Sequence, residues 1–354
     1  MGVGGDLDMD AMKRPWVWVC VLAALLVRIP AITTLPIDWD EPIYMESAQA
    51  ILDAFRTGSW SEIFSPTVNP EHPGLVKTIY AVGFSFFGSD IDLVDRLIVV
   101  RGVSLLAGLA LVWVAASVHP VAGLVLATHT IHAKYSCEGY LDALPALCMS
   151  LAMVYAWKNR LHLRSTVIIL CGLLWGAAIA GKWIHGIPGI LLLSIWRDWR
   201  AIFGLLVVAL ASTVVLDPTM WANPVQRVLQ MMLHHQAYAE TVPDSSMWTP
   251  WVTLAGGGPA VWHPEVFRWS IDGVWLAFGL LGIGMSLKTP WGRMLAGWFC
   301  LPMIVLMVWE TRWPQHLMVV VMPLCLGVAV ALQPLINRAS HRFGPTDSHP
   351  PASA

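Results

Sequence analysis

Apolar residues in this chain do not alternate with polar ones; they run in long blocks, with most of the charges pushed to the block ends. The blocks occupy about 15–34, 97–117, 120–135, 143–157, 165–183, 186–196, 201–217, 271–287, 294–309 and 315–335. Most of them approach the roughly 17–25 residues that a helix needs to cross a hydrocarbon core, 186–196 being the shortest. The pattern predicts an all-α polytopic membrane protein with about ten transmembrane helices. A further run at 75–88 (LVKTIYAVGFSFFG) is short and carries Lys77. Such a run fits an interfacial or re-entrant segment, and counting it as a span gives the eleven-helix alternative.

The positive-inside rule chooses between the two counts. If 75–88 does not span, Lys13/Arg14, the 158–164 loop (KNRLHLR), Arg197/Arg200, Lys288/Arg293 and Arg338/Arg342 all fall on one side. Both termini are then cytoplasmic. The chain divides into a cytoplasmic N-terminus (1–14), one transmembrane domain (15–335) with external loops at 36–96 and 218–270, and a polar, Pro/Ser-rich cytoplasmic tail (336–354) expected to be disordered. Lys13-Arg14 precede the first block without a small-residue cleavage site, so that helix is expected to remain as an anchor.

Composition sharpens the picture. Of the 354 residues 56% are hydrophobic and only 12% charged, about half the charge of an ordinary soluble domain, and the mean hydropathy is +0.63. A net charge of −2 offers no basic surface for nucleic acid. Six scattered cysteines without a CxxC pair argue against disulfides and zinc. The histidine pairs His129/His132 and His234/His235 lack a third ligand, which leaves a metal site unsupported.

The first external loop holds ten of the 23 acidic residues and only three basic ones, Arg56, Lys77 and Arg96. It opens with DWDEPIYMESAQAILDAFRTG, in which Tyr44, Ala48, Ile51, Leu52 and Phe55 share one helical face and Gly58 supplies a stop. This predicts an interfacial amphipathic helix headed by Asp40 and Glu41. Those carboxylates either cap the helix or serve as a general base, and the two readings are compatible. NPEHPGLVK follows at 69–77; Lys77 there either snorkels to headgroups or binds a lipid phosphate. SCEGYLDAL at 136–144 places Glu138 and Asp142 at a membrane boundary, Asp142 as a helix cap or as a functional carboxylate. Lys182, Trp183 and His185 end a later helix, and Glu310, Arg312 and His316 stand at the mouth of the last one. AGGGP at 255–259 follows no strand and precedes no GK[ST], so it reads as a flexible turn.

The order of these signals resembles that of the polyprenyl-phosphate-dependent glycosyltransferases of the C-type superfamily, and within it the protein O-mannosyltransferase family. Asp40-Glu41 match the family's DE motif. HPGLVK (72–77) resembles its HPPLGK, SCEGYLD (136–142) its SRxxxxD, and GAAIAGKW (176–183) its GxxxKW, while DPTMWANP (217–224) is similar to the external loops of bacterial members. The resemblance covers about 36–335. Cys137 stands where the family has arginine, Gly74 and Val76 replace proline and glycine, and no sugar-binding repeat domain is inserted in the second loop.

The resemblance implies an inverting transfer of a sugar, a hexose such as mannose, from a polyprenyl-phosphate carrier to a protein Ser/Thr hydroxyl on the non-cytoplasmic face of the cell membrane. A lipid or polysaccharide is the alternative acceptor. It implies Asp40 and Glu41 as catalytic residues, His72, Lys77, Lys182 and Arg312 around the donor phosphate, and Asp142 and Glu138 positioning acceptor or sugar. It points to no particular cofactor, although a divalent cation at Asp40/Asp142 fits the residue types. A transporter would show broken helices or repeated halves near the midplane, and neither is evident. A non-catalytic scaffold would tolerate loss of Asp40 and Lys77.

Overall fold

The computed structural model describes residues 15–88, 91–162, 164–196, 198–241 and 246–343, with side chains to 338 in the last helix. Lys13, Arg14, Arg197, the Arg342 side chain and the tail beyond 343 lie outside the described residues. All regular structure among those residues is helical: α1 (Pro15–Thr34), α2 (Asp40–Thr57), α3 (Trp60–Phe64), α4 (Leu75–Phe84), α5 (Leu93–Val118), α6 (Pro120–Thr128), α7 (Thr130–Tyr135), α8 (Ala143–Lys158), α9 (Ser165–Gly181), α10 (Leu192–Ile195), α11 (Trp199–Leu216), α12 (Pro224–Ala239), α13 (Thr249–Val252), α14 (Pro259–Trp262), α15 (Asp272–Ser286), α16 (Pro290–Val308) and α17 (Met318–Phe343).

Five segments are long and apolar enough to cross a bilayer: Pro15–Thr34, Leu93–Val118, Trp199–Leu216, Pro290–Val308 and Pro314–Arg338. α8, α9 and α15 are apolar but shorter. These helices leave Leu22, Leu26, Ile98, Leu106, Leu210 and Ile304 exposed, as expected where the surrounding solvent is hydrocarbon. The chain is an integral membrane protein. α4 rises only about 15 Å, half the thickness of a hydrocarbon core, and it packs against α2 and α5 at one end of the bundle. α15 and α17 pack most closely: a Cβ at Gly282 would lie 1.8 Å from the Gly327 carbonyl oxygen, so only glycines permit this contact.

Two apolar blocks that read as continuous helices are broken. The 120–135 block parts at His129, whose backbone is extended (φ −65°, ψ 121°). Asp272, at the head of α15, accepts hydrogen bonds from the freed Thr130 amide at 3.2 and 3.3 Å and from the Thr130 hydroxyl. The 186–196 block is a 3₁₀ helix over Trp183–Leu191 followed by the four-residue α10. Pro188 lacks the amide that an α-helix would use, and Trp175 Nε1 donates to the Gly186 carbonyl at 2.8 Å.

α2 forms as its periodicity predicts. Tyr44, Ala48, Ile51 and Leu52 are buried, and Gly58 (φ 72°) closes the helix by donating to the Ala54 carbonyl. Phe55 departs from the prediction: it is exposed, with its ring edge-on to Trp60 at 5.5 Å.

Candidate active site

The buried charges gather at the end of the bundle where α2, α4, α7 and the 136–142, 182–185 and 312–317 segments meet. Asp40 and Glu41 stand in the first turn of α2, yet neither caps it in the expected way. The Glu41 carboxylate is fully buried and meets four donors. Arg101 donates through Nε at 2.9 Å and Nη2 at 2.7 Å, the Gly139 amide at 2.7 Å, and the Asp38 amide at 3.0 Å. Arg101 also donates to the carbonyls of Ile32, Leu35 and Pro36. Glu41 therefore ties α1, α2, α5 and the 136–142 loop together and has no lone pair left facing a substrate. Asp40 is half-buried and remains available: its Oδ2 accepts from the Tyr44 hydroxyl at 3.2 Å and from Gln315 Nε2 at 3.3 Å. Burial pushes the Asp40 carboxyl up, opposed by Lys182 and the Tyr44 hydrogen bond.

Asp142 heads α8 without capping it through its side chain. Its Oδ2 accepts from Lys182 Nζ at 2.7 Å and its Oδ1 meets His185 Nε2 at 3.0 Å, all three groups being buried. Burial pushes Asp142 up, but Lys182 and His185 outweigh it and hold the carboxyl at about 2. Lys182 thus ends in a buried ion pair and does not snorkel; the extended backbone at Lys182 after α9 turns it inward. With both oxygens engaged, Asp142 is a poor partner for Asp40 in holding a divalent cation. No group of three or more His, Cys, Asp or Glu in metal-binding proximity occurs among the described residues.

Lys77 does not snorkel either. It is fully buried and donates to the Asn69 carbonyl at 2.9 Å, the His72 carbonyl at 3.0 Å and Asn69 Oδ1 at 3.3 Å. All three ammonium protons are used to shape the 69–72 turn, where Asn69 has φ 53°. Burial brings Lys77 down to about 8. The same turn is held from the other side. Arg227 donates to the His72 carbonyl at 3.3 Å and to Thr219 Oγ1 at 3.0 Å. A Cβ at Gly74 would lie 2.5 Å from Asp217 Oδ1. The HPG and DPTM motifs are therefore two halves of one packed unit. It presents His72 beside Tyr44, ring centroids 6.0 Å apart. Burial, then Lys182 and Lys77, hold His72 well below its ordinary value and hence neutral. Arg312 donates from Nε and Nη2 back to the Met307 carbonyl at 3.2 and 3.1 Å, fixing the turn that carries Trp313 and Gln315.

A cavity of about 700 Å³ opens beside Asp40. Its floor is formed by Lys134, Tyr135 and Tyr140 and its walls by Asp38, Trp262 and Trp313. Lys134 Nζ contacts Asp38 Oδ2 at 2.5 Å and Glu138 Oε2 at 2.6 Å, and lies over the rings of Tyr135 and Tyr140 at 4.6 and 5.7 Å. One ammonium serves two carboxylates, so they split. Burial raises both, but Lys134 brings Asp38 below its ordinary value, whereas burial leaves Glu138 raised to about 8.

Sequence reasoning missed Arg28, Arg101 and Lys134. Arg28 lies inside α1 and donates to Ser136 Oγ at 2.8 Å and the Ala127 carbonyl at 2.8 Å, with His132 Nδ1 at 2.6 Å from its Nη2. A cation within an apolar run was the available signal. His132 is thus a partner of arginine, and His129 stands at the α6–α7 break. Cys137, at the position of the family's arginine, is buried among Ala31, Leu35, Ala133 and Phe267. His234 meets Glu71 at 3.4 Å, and His235 meets Thr311 at 3.2 Å while its ring lies 4.6 Å from that of Trp309. AGGGP is not the flexible turn expected: 253–257 form a short π-helical segment kinked at Gly256 (φ 104°), and Gly258-Pro259 start α14.

No family model and no curated protein matches this chain. Solved structures do. The chain is similar to ArnT from Cupriavidus metallidurans bound to undecaprenyl phosphate, with a TM-score of 0.66 and 18% identity, covering 93% of this chain and 62% of that one. The apo state of the same protein gives 0.65 and 18%, over 93% and 61%. The shared property is the fold, and this chain spans less than two thirds of the length of those structures.

Proposed function

We propose that this protein is an inverting glycosyltransferase that takes a sugar from a polyprenyl-phosphate carrier at the membrane surface. The observation that carries the reading is the placement of Asp40: an available carboxylate between a 700 Å³ cavity and a lysine-centred polar cluster. The fold shared with a protein solved with undecaprenyl phosphate supports the choice of donor.

In this reaction the acceptor hydroxyl attacks the anomeric carbon from the face opposite the lipid phosphate. The new carbon–oxygen bond forms as the bond to the phosphate oxygen breaks. The electron pair leaves with polyprenyl phosphate, and the hydroxyl proton passes to Asp40. Phosphate is already a good leaving group, so one base suffices. Glu41 and Arg101 fix the head of α2 and so aim Asp40. Arg312 faces the departing phosphate electrostatically, Lys182 adds only the field of its pair with Asp142, and neutral His72 donates a hydrogen bond to the phosphate. Lys77 acts indirectly by holding the His72 turn. Asp142 keeps Lys182 in place.

The membrane arrangement belongs to the same proposal: ten crossings with α4 interfacial, both termini cytoplasmic, and the Asp40 end on the non-cytoplasmic side. The hexose donor is an expectation from the sequence resemblance. The test is transfer of label from radiolabelled polyprenyl-phosphate hexoses by membranes carrying wild type or Asp40→Asn. Label that moves equally in both rejects Asp40 as the base; label that moves in neither rejects the transferase.

A further inference from the structure

Resting on that reading, we infer that the acceptor is a saccharide, whose ring is seated in the aromatic cavity beside Asp40. The cavity pairs two kinds of surface. Tyr135 and Tyr140 form a buried floor, edge to face at 5.1 Å. Trp262 and Trp313 stand at the rim, 44% and 39% exposed. Between them lie Asp38, Asp40 and Lys134. A sugar ring has a C–H face that stacks on aromatic rings and an edge of hydroxyls that hydrogen-bond to carboxylates and ammonium groups. The cavity offers both in one place and has more room than one hexose fills, so a donor sugar and an acceptor ring fit together.

The alternative acceptors fit less well. A phosphate-bearing lipid headgroup needs surplus positive charge. Here Asp38 and Asp40 line the cavity against the single ammonium of Lys134, which is already paired. An extended peptide is held through main-chain hydrogen bonds along an exposed edge; these walls are aromatic side chains carried by the short helices α7 and α14 and by two loops, and no strand occurs among the described residues. An aromatic belt would distribute tryptophans around the bundle, whereas Trp262 and Trp313, about fifty residues apart in sequence, converge on one cavity.

The experiment determines what receives the label and whether the rim binds it. Membranes containing the full-length protein are incubated with tritiated undecaprenyl-phosphate mannose, glucose and galactose, and the product is fractionated. Label in carbohydrate that resists protease and alkaline β-elimination is the expected result. That saccharide fraction, added back to purified protein, should show an acceptor KM about three- to tenfold higher for Trp262→Ala and Trp313→Ala, as loss of one ring contact predicts, with donor KM unchanged. Label released from protein by β-elimination, or found on a lipid without saccharide, would overturn the inference while leaving the transferase intact. Unchanged acceptor KM in both variants would overturn the cavity as its seat. Label that never leaves the polyprenol with any of the three donors would overturn the transferase reading itself.

Discussion

Two lysine–carboxylate clusters stand at the same end of the bundle, and they are built differently. In Lys182–Asp142–His185 one carboxylate meets one ammonium and one imidazole, every group is buried, and both carboxylate oxygens are engaged. In Lys134–Asp38–Glu138 one ammonium is divided between two carboxylates, and Asp38 is 20% exposed at the cavity wall. The first is balanced and closed, so it behaves as a strut. The second has a surplus carboxylate beside open space and can respond to a proton or a ligand. Lysine and carboxylate residues alone do not distinguish a strut from a binding surface; charge balance and access do.

Asp40 lies between the clusters, and replacing it should have the largest effect. Asp40→Asn keeps the shape and helix-start preference while removing the proposed base. Transfer should fall by about 10²–10⁴-fold with membrane abundance and donor affinity maintained. A wild-type rate would make Asp40 part of the strut. Next comes the closed cluster: Lys182→Met leaves buried Asp142 with His185 alone and no cation, and breaking a buried pair in this way typically costs about 3–5 kcal/mol. Thermal unfolding in detergent should show it, and Asp142→Leu added to Lys182→Met should recover much of the loss. If Lys182→Met unfolds like wild type, the cluster is not a strut.

A smaller effect is expected at Arg101, which lies behind Asp40. Arg101→Lys keeps the charge but loses the two-pronged contact with Glu41 and most of the carbonyl bonds; lost charged hydrogen bonds of this kind are worth about 1.5–3 kcal/mol. Because Arg101 spends its donors on Glu41 and on the carbonyls of 32–36, kcat should drop while both KM values hold, and a matching rise in KM would place Arg101 in the binding surface instead. The gentlest comparison is pH. Glu138 is raised from 4.5 to about 8, so the folded state binds more protons, and stability falls as pH climbs from about 4.5 through about 8. Asp142 is lowered from 3.8 to about 2, so its contribution is present above 3.8 and lost as pH falls toward 2. Melting temperatures across pH 5–9 should therefore lose their downward slope in Glu138→Gln and keep it in Asp142→Asn.

Much of the candidate site is legible in the sequence because its titratable residues are concentrated in short motifs. Asp40-Glu41, HPGLVK, the 136–142 run and Lys182 were all marked, and all reach one end of the bundle. Their pairings were not legible. Glu41 meets Arg101, sixty positions away, and Lys182 meets Asp142, forty positions away, so snorkelling and capping remained equally good local explanations. Cys137 looked like a missing contact; its side chain points into an apolar pack.

The sequence by itself determined that the chain is helical and membrane-embedded, where α2 begins and ends, and which segments carry charge. These follow from local physics: uninterrupted apolar runs cannot be solvated by water, and a face repeating every 3.6 residues must find an interface. Only the tertiary structure decided that His129 breaks a continuous apolar run, because the compensating acceptor, Asp272, lies 142 residues away. It alone decided that Lys77 and Lys182 turn inward and that Asp40 keeps an available carboxylate while Glu41 does not. A buried polar group takes its state from whatever partner folding brings within about 3 Å, and nothing in the neighbouring residues specifies that partner.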